Sequence, residues 1–160
     1  MAKYDESSIK ILEEGDSIMK KYIAYGSNLN LKQMGMRCPT AKVIGIAMLK
    51  DYQLTFRSVA TIEQKQGSVV PVAIWDIDEQ SEKALDRYEG YPSLYRKEYL
   101  DVEVNGKNEK CMVYIMNKGQ PAYPYRQYYE TILQGYFDVG LDPEYLEDAL
   151  KDTQLKMQND

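Results

Sequence analysis

Apolar and aromatic side chains change their period several times along the chain. Tyr22, Ile23 and Tyr25 form a short strand-forming run, and Gly26-Ser27-Asn28-Leu29 then leads into a segment whose apolar positions are Leu31 and Met34. This predicts a strand, a tight loop and a short helix, with Gly26 free to take backbone angles other residues avoid and Ser27 or Asn28 as the helix cap. From residue 42 to 56, the apolar run Val43, Ile44, Ile46, Met48 and Leu49 gives way to alternation at Tyr52, Leu54 and Phe56. One long bent strand, or two joined near Lys50-Asp51, fits that pattern. Residues 59–62 read as a short strand before a turn at Gln66-Gly67-Ser68. Residues 69–77 are apolar almost throughout, as in a strand covered on both faces.

Helical spacing follows at Ala84, Leu85 and Tyr88, with Asp78 as cap and Gly90 as stop. Leu100, Val102 and Val104 alternate up to Asn105-Gly106, a two-residue hairpin signal, and the chain returns over residues 111–116. Pro124 opens a helix with Tyr125, Tyr128, Tyr129, Ile132, Leu133 and Tyr136 on one face, and Asp142-Pro143 opens a last one using Tyr145, Leu146, Ala149 and Leu150. Residues 1–20 carry too few apolar positions to specify an element and read as an accessory extension. Residues 21–153 read as one domain, and residues 154–160 as a polar, fraying tail. Strands come in runs with helices inserted irregularly, which predicts an α+β fold over a doubly wound sheet. The long bent strand suits a small mixed β-barrel with peripheral helices.

Composition adds mainly exclusions. A chain of 160 residues can bury about 70% of the surface its unfolded form exposes, so it needs no disulfide or metal staple. No apolar run nears the ~18 residues of a membrane span, and the acidic, polar opening residues lack the order of a signal peptide, so a cytoplasmic protein is expected. A net charge of -5 disfavours a nucleic-acid partner. Cys38 and Cys111 lie far apart without metal-type spacing and are expected as free, buried thiols. Zero histidines remove Ser-His-Asp and Cys-His machinery together with the commonest zinc ligand, leaving acid–base work to carboxylate, tyrosine, lysine or cysteine. Fifteen tyrosines against two phenylalanines give many apolar bodies whose hydroxyls need partners, in a polar pocket or a wet core.

Three groupings of residues can carry chemistry. The loop at Tyr25, Gly26, Ser27, Asn28 and Leu29 aims backbone N–H groups at one point, with the positive end of a helix dipole behind them, and suits a carboxylate or a developing oxyanion. Glu89 ends the helix stopped by Gly90, at the dipole's negative end. If Tyr88 and Tyr91 wall it in, its pKa rises and it becomes a proton shuttle; otherwise it is a solvated helix end. In the second grouping, Arg37 can lower the pKa of Cys38 to make a cysteine amidase or transferase, but no histidine is present as its base, which favours a structural thiol. Third, Tyr123, Tyr125, Tyr128, Tyr129 and Tyr136 can stack on ligands in a non-catalytic binding module, although their helical spacing suggests core first.

Tyr25-Gly26-Ser27-Asn28-Leu29, then Met36-Arg37-Cys38-Pro39, and sixty residues on Leu85-Asp86-Arg87-Tyr88-Glu89-Gly90-Tyr91-Pro92 together resemble the γ-glutamylcyclotransferase-like family, over about residues 22–150. The resemblance implies a small β-barrel, no metal and no organic cofactor. It also implies a small-molecule γ-glutamyl substrate that closes to 5-oxoproline and releases its amine, with Glu89 as the general acid and base. Tyr95, Tyr114 and Tyr128, or its neighbour Tyr129, are implied as pocket residues alongside the loop. A non-catalytic small-molecule binding protein on the same scaffold is the alternative.

Overall fold

The computed structural model describes residues 19–159, so the accessory extension expected over residues 1–20 lies almost wholly outside the described residues. Five strands, β1 (Lys20–Ala24), β2 (Lys42–Arg57), β3 (Val59–Ile77), β4 (Tyr95–Val104) and β5 (Lys107–Met116), form one sheet in the order β2-β3-β1-β5-β4. Among the described residues four helices, α1 (Leu31–Arg37), α2 (Glu79–Glu89), α3 (Arg126–Val139) and α4 (Glu144–Gln158), surround it. The α+β class is as expected. β1 is central because Tyr22, Ile23 and Ala24 are all buried, and it pairs antiparallel with β3 and parallel with β5. Among the described residues no helix is long and apolar enough to cross a membrane.

The long bent strand is present, with its kink at Asp51, where φ is 66°. The turn expected at Gln66-Gly67-Ser68 is a bulge inside one continuous strand. The ladder runs through Lys50↔Val69, resumes at Tyr52↔Gln64, and leaves four residues of β3 opposite Asp51. Gly67 takes φ 87° there and its N–H donates to Asp51 Oδ1 at 2.9 Å. A residue with positive φ in each strand lets the pair swing without losing register on either side. β4 and β5 turn through Asn105 and Gly106, both at positive φ, as the two-residue hairpin requires.

The barrel does not close. β2 and β4 remain edges of the sheet, and where they approach, Asn105 Nδ2 donates to the Ile44 carbonyl at 2.9 Å. A methyl group on Gly45 would lie 3.2 Å from Val104 Cγ1, so the edges are near, but a side chain stands where a backbone ladder would be needed for closure. The register also shifts between Val43 and Gly45, which turns this part of β2 away from regular pairing.

The loop after β1 is fixed from behind. Leu29 and Met34 have no exposed surface and anchor a 3₁₀ turn (Ser27–Leu29) and α1 to the core, whereas Leu31, expected to be apolar-facing, is exposed. The cap of α1 is neither Ser27 nor Asn28: Asn30 Oδ1 accepts from the Gln33 N–H at 3.0 Å. α3 starts at Arg126, two residues after Pro124, and leaves Tyr125 81% exposed, outside the expected face. Its buried face is Ile132, Gly135 and Tyr136. A Cβ on Gly135 would fall 2.6 Å from the Asn30 nitrogen and 2.7 Å from the Leu29 carbonyl carbon. The helix therefore seats the loop backbone directly. Gly135→Ala is expected to destabilise the protein by about 2 kcal/mol or more, with the loop displaced, because only backbone can yield. A denaturant midpoint unchanged from wild type would contradict this packing.

The expected fraying after Asp152 does not occur, since α4 continues to Gln158. Thr153 is fully buried, its hydroxyl accepts from the Phe56 N–H at 3.1 Å, and Lys156 pairs with Glu63 at 2.7 Å.

Candidate active site

α2 is capped at its start by Asp78, whose Oδ1 accepts from the Ser81 N–H at 2.8 Å, and at its end by Gly90 in the left-handed region at φ 66°. Tyr91 N–H returns to the Asp86 carbonyl at 3.0 Å. This stop leaves Glu89 as the last helical residue, lining a cavity of about 260 Å³. The cavity collects residues from across the chain: Tyr25, Gly26, Ser27 and Asn28 from the loop, Tyr95 from β4, Tyr114 from β5 and Tyr128 from α3. Each sequence-predicted site residue lines it except Leu29, whose side chain is in the core. Tyr128, and not Tyr129, is the member of that pair at the cavity. Gly26 lets the loop approach β3 closely, since a Cβ there would lie 3.3 Å from Ala60 Cβ, tighter than ordinary contact.

The phenols of the cavity are held in a frame. Tyr25 donates to the Tyr114 carbonyl at 2.7 Å, and Tyr114 donates to Asp86 Oδ1 at 2.6 Å. Tyr95 donates to the Ala60 carbonyl at 2.7 Å while the Ala60 N–H donates to Tyr128 at 3.0 Å. Asn28 Nδ2 donates to Tyr22 at 2.8 Å, and the Ser27 and Tyr88 hydroxyls share a hydrogen bond of 2.7 Å. Six of the fifteen tyrosines thus build one polar pocket. Burial lifts Tyr22, Tyr25, Tyr95, Tyr114 and Tyr128 above the ordinary phenol range, so they stay protonated and act as donors or walls, not bases, near neutral pH.

Glu89 behaves differently. Burial pushes its carboxyl up to about 7, against the opposing pull of the Arg37 guanidinium. No hydrogen-bond donor among the described residues holds it, so its protonation state is set by the cavity. Among the described residues no cluster of three or more His, Cys, Asp or Glu is grouped to hold a metal ion. Cys38 lies outside the cavity, 1% exposed, its thiol directed at the Ser81 carbonyl at 3.6 Å and raised by burial. The exposed Tyr123 and Tyr125 do not reach the cavity either.

Of the two tyrosines expected to wall Glu89, Tyr88 lines the cavity and Tyr91 does not, while Tyr22 and the backbone of Ala60 are unanticipated at the site. Tyr22 is legible only as a strand residue, and the hydrogen bonds of Ala60 are made by its peptide N–H and C=O, which no side-chain pattern can announce.

The family description "Gamma-glutamyl cyclotransferase, AIG2-like" matches residues 22–137, from β1 to α3, which includes every wall of the cavity. Gamma-glutamylcyclotransferase of Mus musculus is 31% identical over 84% of this chain and 78% of its own length. The Homo sapiens protein of the same name is 32% identical over 79% and 74%. A solved structure of gamma-glutamyl cyclotransferase superposes with a TM-score of 0.73 at 30% identity, over 82% of this chain and 86% of its own. YkqA from Bacillus subtilis has a TM-score of 0.72 at 22% identity, over 94% and 59%, a likeness of fold alone.

Proposed function

We propose, because the chain belongs to the gamma-glutamyl cyclotransferase, AIG2-like family, that it closes a γ-glutamyl amine or γ-glutamyl amino acid to 5-oxoproline and releases the amine, with Glu89 as general acid and base. The observation that carries this reading is that Glu89 lines a phenol-walled cavity with no hydrogen-bond donor to it among the described residues, where burial pushes its carboxyl up to about 7. It suits a group that must take a proton and return it.

In this mechanism the α-nitrogen of the glutamyl moiety attacks its own γ-carbonyl carbon. The ring C–N bond forms as the C–N bond to the departing amine breaks. The nucleophile is already tethered, so the protein's task is to fold the glutamyl chain into a near-attack shape. The Tyr25–Asn28 loop supplies the hold. The amides at the start of its 3₁₀ turn, Ser27 and Asn28, have no partner within the turn and can take the α-carboxylate or the oxyanion. Glu89 accepts the proton from the α-ammonium and delivers it to the leaving amine. From an α-ammonium near 7.7, transfer to an ordinary Glu near 4.3 is uphill by roughly 5 kcal/mol; to a carboxylate at about 7 it is uphill by only about 1 kcal/mol.

The test follows 5-oxoproline and free amine from a γ-glutamyl substrate as a function of pH. The kcat/KM profile should fall with unit slope below pH about 7, where Glu89 becomes protonated. Its alkaline limb should belong to the substrate ammonium and move when a substrate of different α-amine basicity is used. An acid limb near 4, or glutamate in place of 5-oxoproline, would count against the assignment.

A further inference from the structure

One side chain joins the loop to the helix that carries Glu89. Arg37 closes α1, where its Nη1 donates to Asn28 Oδ1 and its Nη2 donates to Gln33 Oε1 at 3.0 Å. The face of the same guanidinium lies on the Tyr88 ring, with Cζ 3.5 Å from the centroid. Tyr88 in turn meets Ser27 through its hydroxyl at 2.7 Å, so Arg37, Asn28, Ser27 and Tyr88 form a closed circuit. Tyr88 is 43% exposed. Core packing does not fix it; the Ser27 hydroxyl and the guanidinium pin it from two sides. Asn28 has both ends of its amide committed, the oxygen to Arg37 and the nitrogen to Tyr22, which sets its orientation. Glu89 is the next residue after Tyr88 and lines the same cavity, so the ring ties the end of α2 that carries the carboxyl to the loop.

We propose that Arg37 is a positioning residue for the cyclisation: its planar fork sets the spacing between the Tyr25–Asn28 loop and the end of α2, so that the glutamyl-holding amides and Glu89 address the same substrate. The chemical part of this inference rests on the cyclotransferase reading, whereas the circuit itself does not. The groups that face Glu89 from other elements are Tyr22 of β1, Tyr25 of the loop, Tyr95 of β4 and Tyr128 of α3, all phenols kept protonated by burial. Arg37 is the charged group that acts on Glu89 among the described residues. Lysine could replace its charge but neither its two-pronged donation nor its flat face on Tyr88.

Arg37→Met and Arg37→Lys separate these contributions. Each would be measured for thermal midpoint, for kcat/KM against pH with γ-glutamylalanine and γ-glutamylbutylamine, and for the titration of the Glu89 carboxyl by carbon-13 NMR without substrate. Arg37→Met should raise the Glu89 titration, because a stabilising cation is gone, and lower kcat/KM at least about tenfold. Arg37→Lys should leave the titration near wild type and still lose kcat/KM several-fold. Wild-type kcat/KM in Arg37→Lys would overturn the positioning role, and that variant decides the matter even if Arg37→Met does not fold. An unmoved Glu89 titration in folded Arg37→Met would overturn the electrostatic part. If the unmodified chain makes no 5-oxoproline from either probe, the cyclotransferase reading fails, while the titration still judges the coupling between Arg37 and Glu89.

Discussion

Glu89→Gln is expected to lower turnover by at least ~100-fold while leaving substrate affinity within a few-fold, because the amide keeps the shape of the acid and cannot carry a proton between the two nitrogens. Stability should move the other way. The folded carboxyl titrates at about 7, above its ordinary value of 4.5. Below the ordinary value both folded and unfolded chains hold the proton, so the group contributes nothing to the difference. As pH rises from there to about 7 the unfolded chain releases its proton while the folded chain retains it, and the folded state loses stability over that window. Above it the full cost of a charged, buried Glu89 is present. A neutral amide removes that cost, so Glu89→Gln should melt no lower than wild type at pH 5 and higher at pH 8. Rate and melting temperature are therefore expected to separate in opposite directions. Near-wild-type turnover in this variant would remove Glu89 from the mechanism, and a lower melting temperature at pH 8 would show that its carboxylate has a partner in solution.

Acetylating the α-amine of a γ-glutamyl substrate is expected to abolish turnover altogether. The blocked nitrogen is an amide with almost no basicity, so it gives Glu89 no ammonium to deprotonate and cannot close the ring. The comparison distinguishes intramolecular aminolysis from hydrolysis on the same scaffold. A hydrolase brings its own water and would cleave the γ-bond of the blocked compound, provided the cavity admits the acetyl group, which a competition experiment against the unblocked substrate checks. The unblocked substrate should give 5-oxoproline with no oxygen taken from labelled water. Rapid cleavage of the acetylated analogue, or free glutamate as the first product, would sink the cyclotransferase assignment and leave the fold untouched.

The elements most legible in the sequence are those whose signals are local. The Asp78 cap, the Gly90 stop and the Asn105-Gly106 hairpin are each read from two or three residues, and the structure has them all. Glu89 could be anticipated from its place at a helix end between tyrosines. The failures share a different cause. Gln66-Gly67-Ser68 has turn residues, yet β3 continues through it because the ladder with β2 resumes on the far side, a pairing that no local pattern reports. Closure of a barrel depends on whether two distant edges meet in register, and Asn105 reaching Ile44 settles that at a single point. Leu29 belongs to the loop motif by sequence but is buried in the core, because successive side chains of a 3₁₀ turn are about a third of a turn apart and the third of these three is carried away from the cavity. The partnership of Arg37 with Tyr88 pairs residues on two separate helices, and only the packed chain brings them together.

Ala60 has no polar side chain, yet its N–H and C=O bind the hydroxyls of Tyr128 and Tyr95, which lie 68 and 35 residues away in the chain. Both contacts close long loops, whose entropic cost is met only when the surrounding sheet and α3 are already in place. The cavity therefore exists only while β3, β4 and α3 are in place together, and it is lost when any one of its contributing segments opens. No partly folded form of this chain should retain catalytic competence. Specific activity in a preparation then counts cooperatively folded molecules, and a mutation far from Glu89 that loosens β3 or α3 will appear as a smaller active fraction with an unaltered KM.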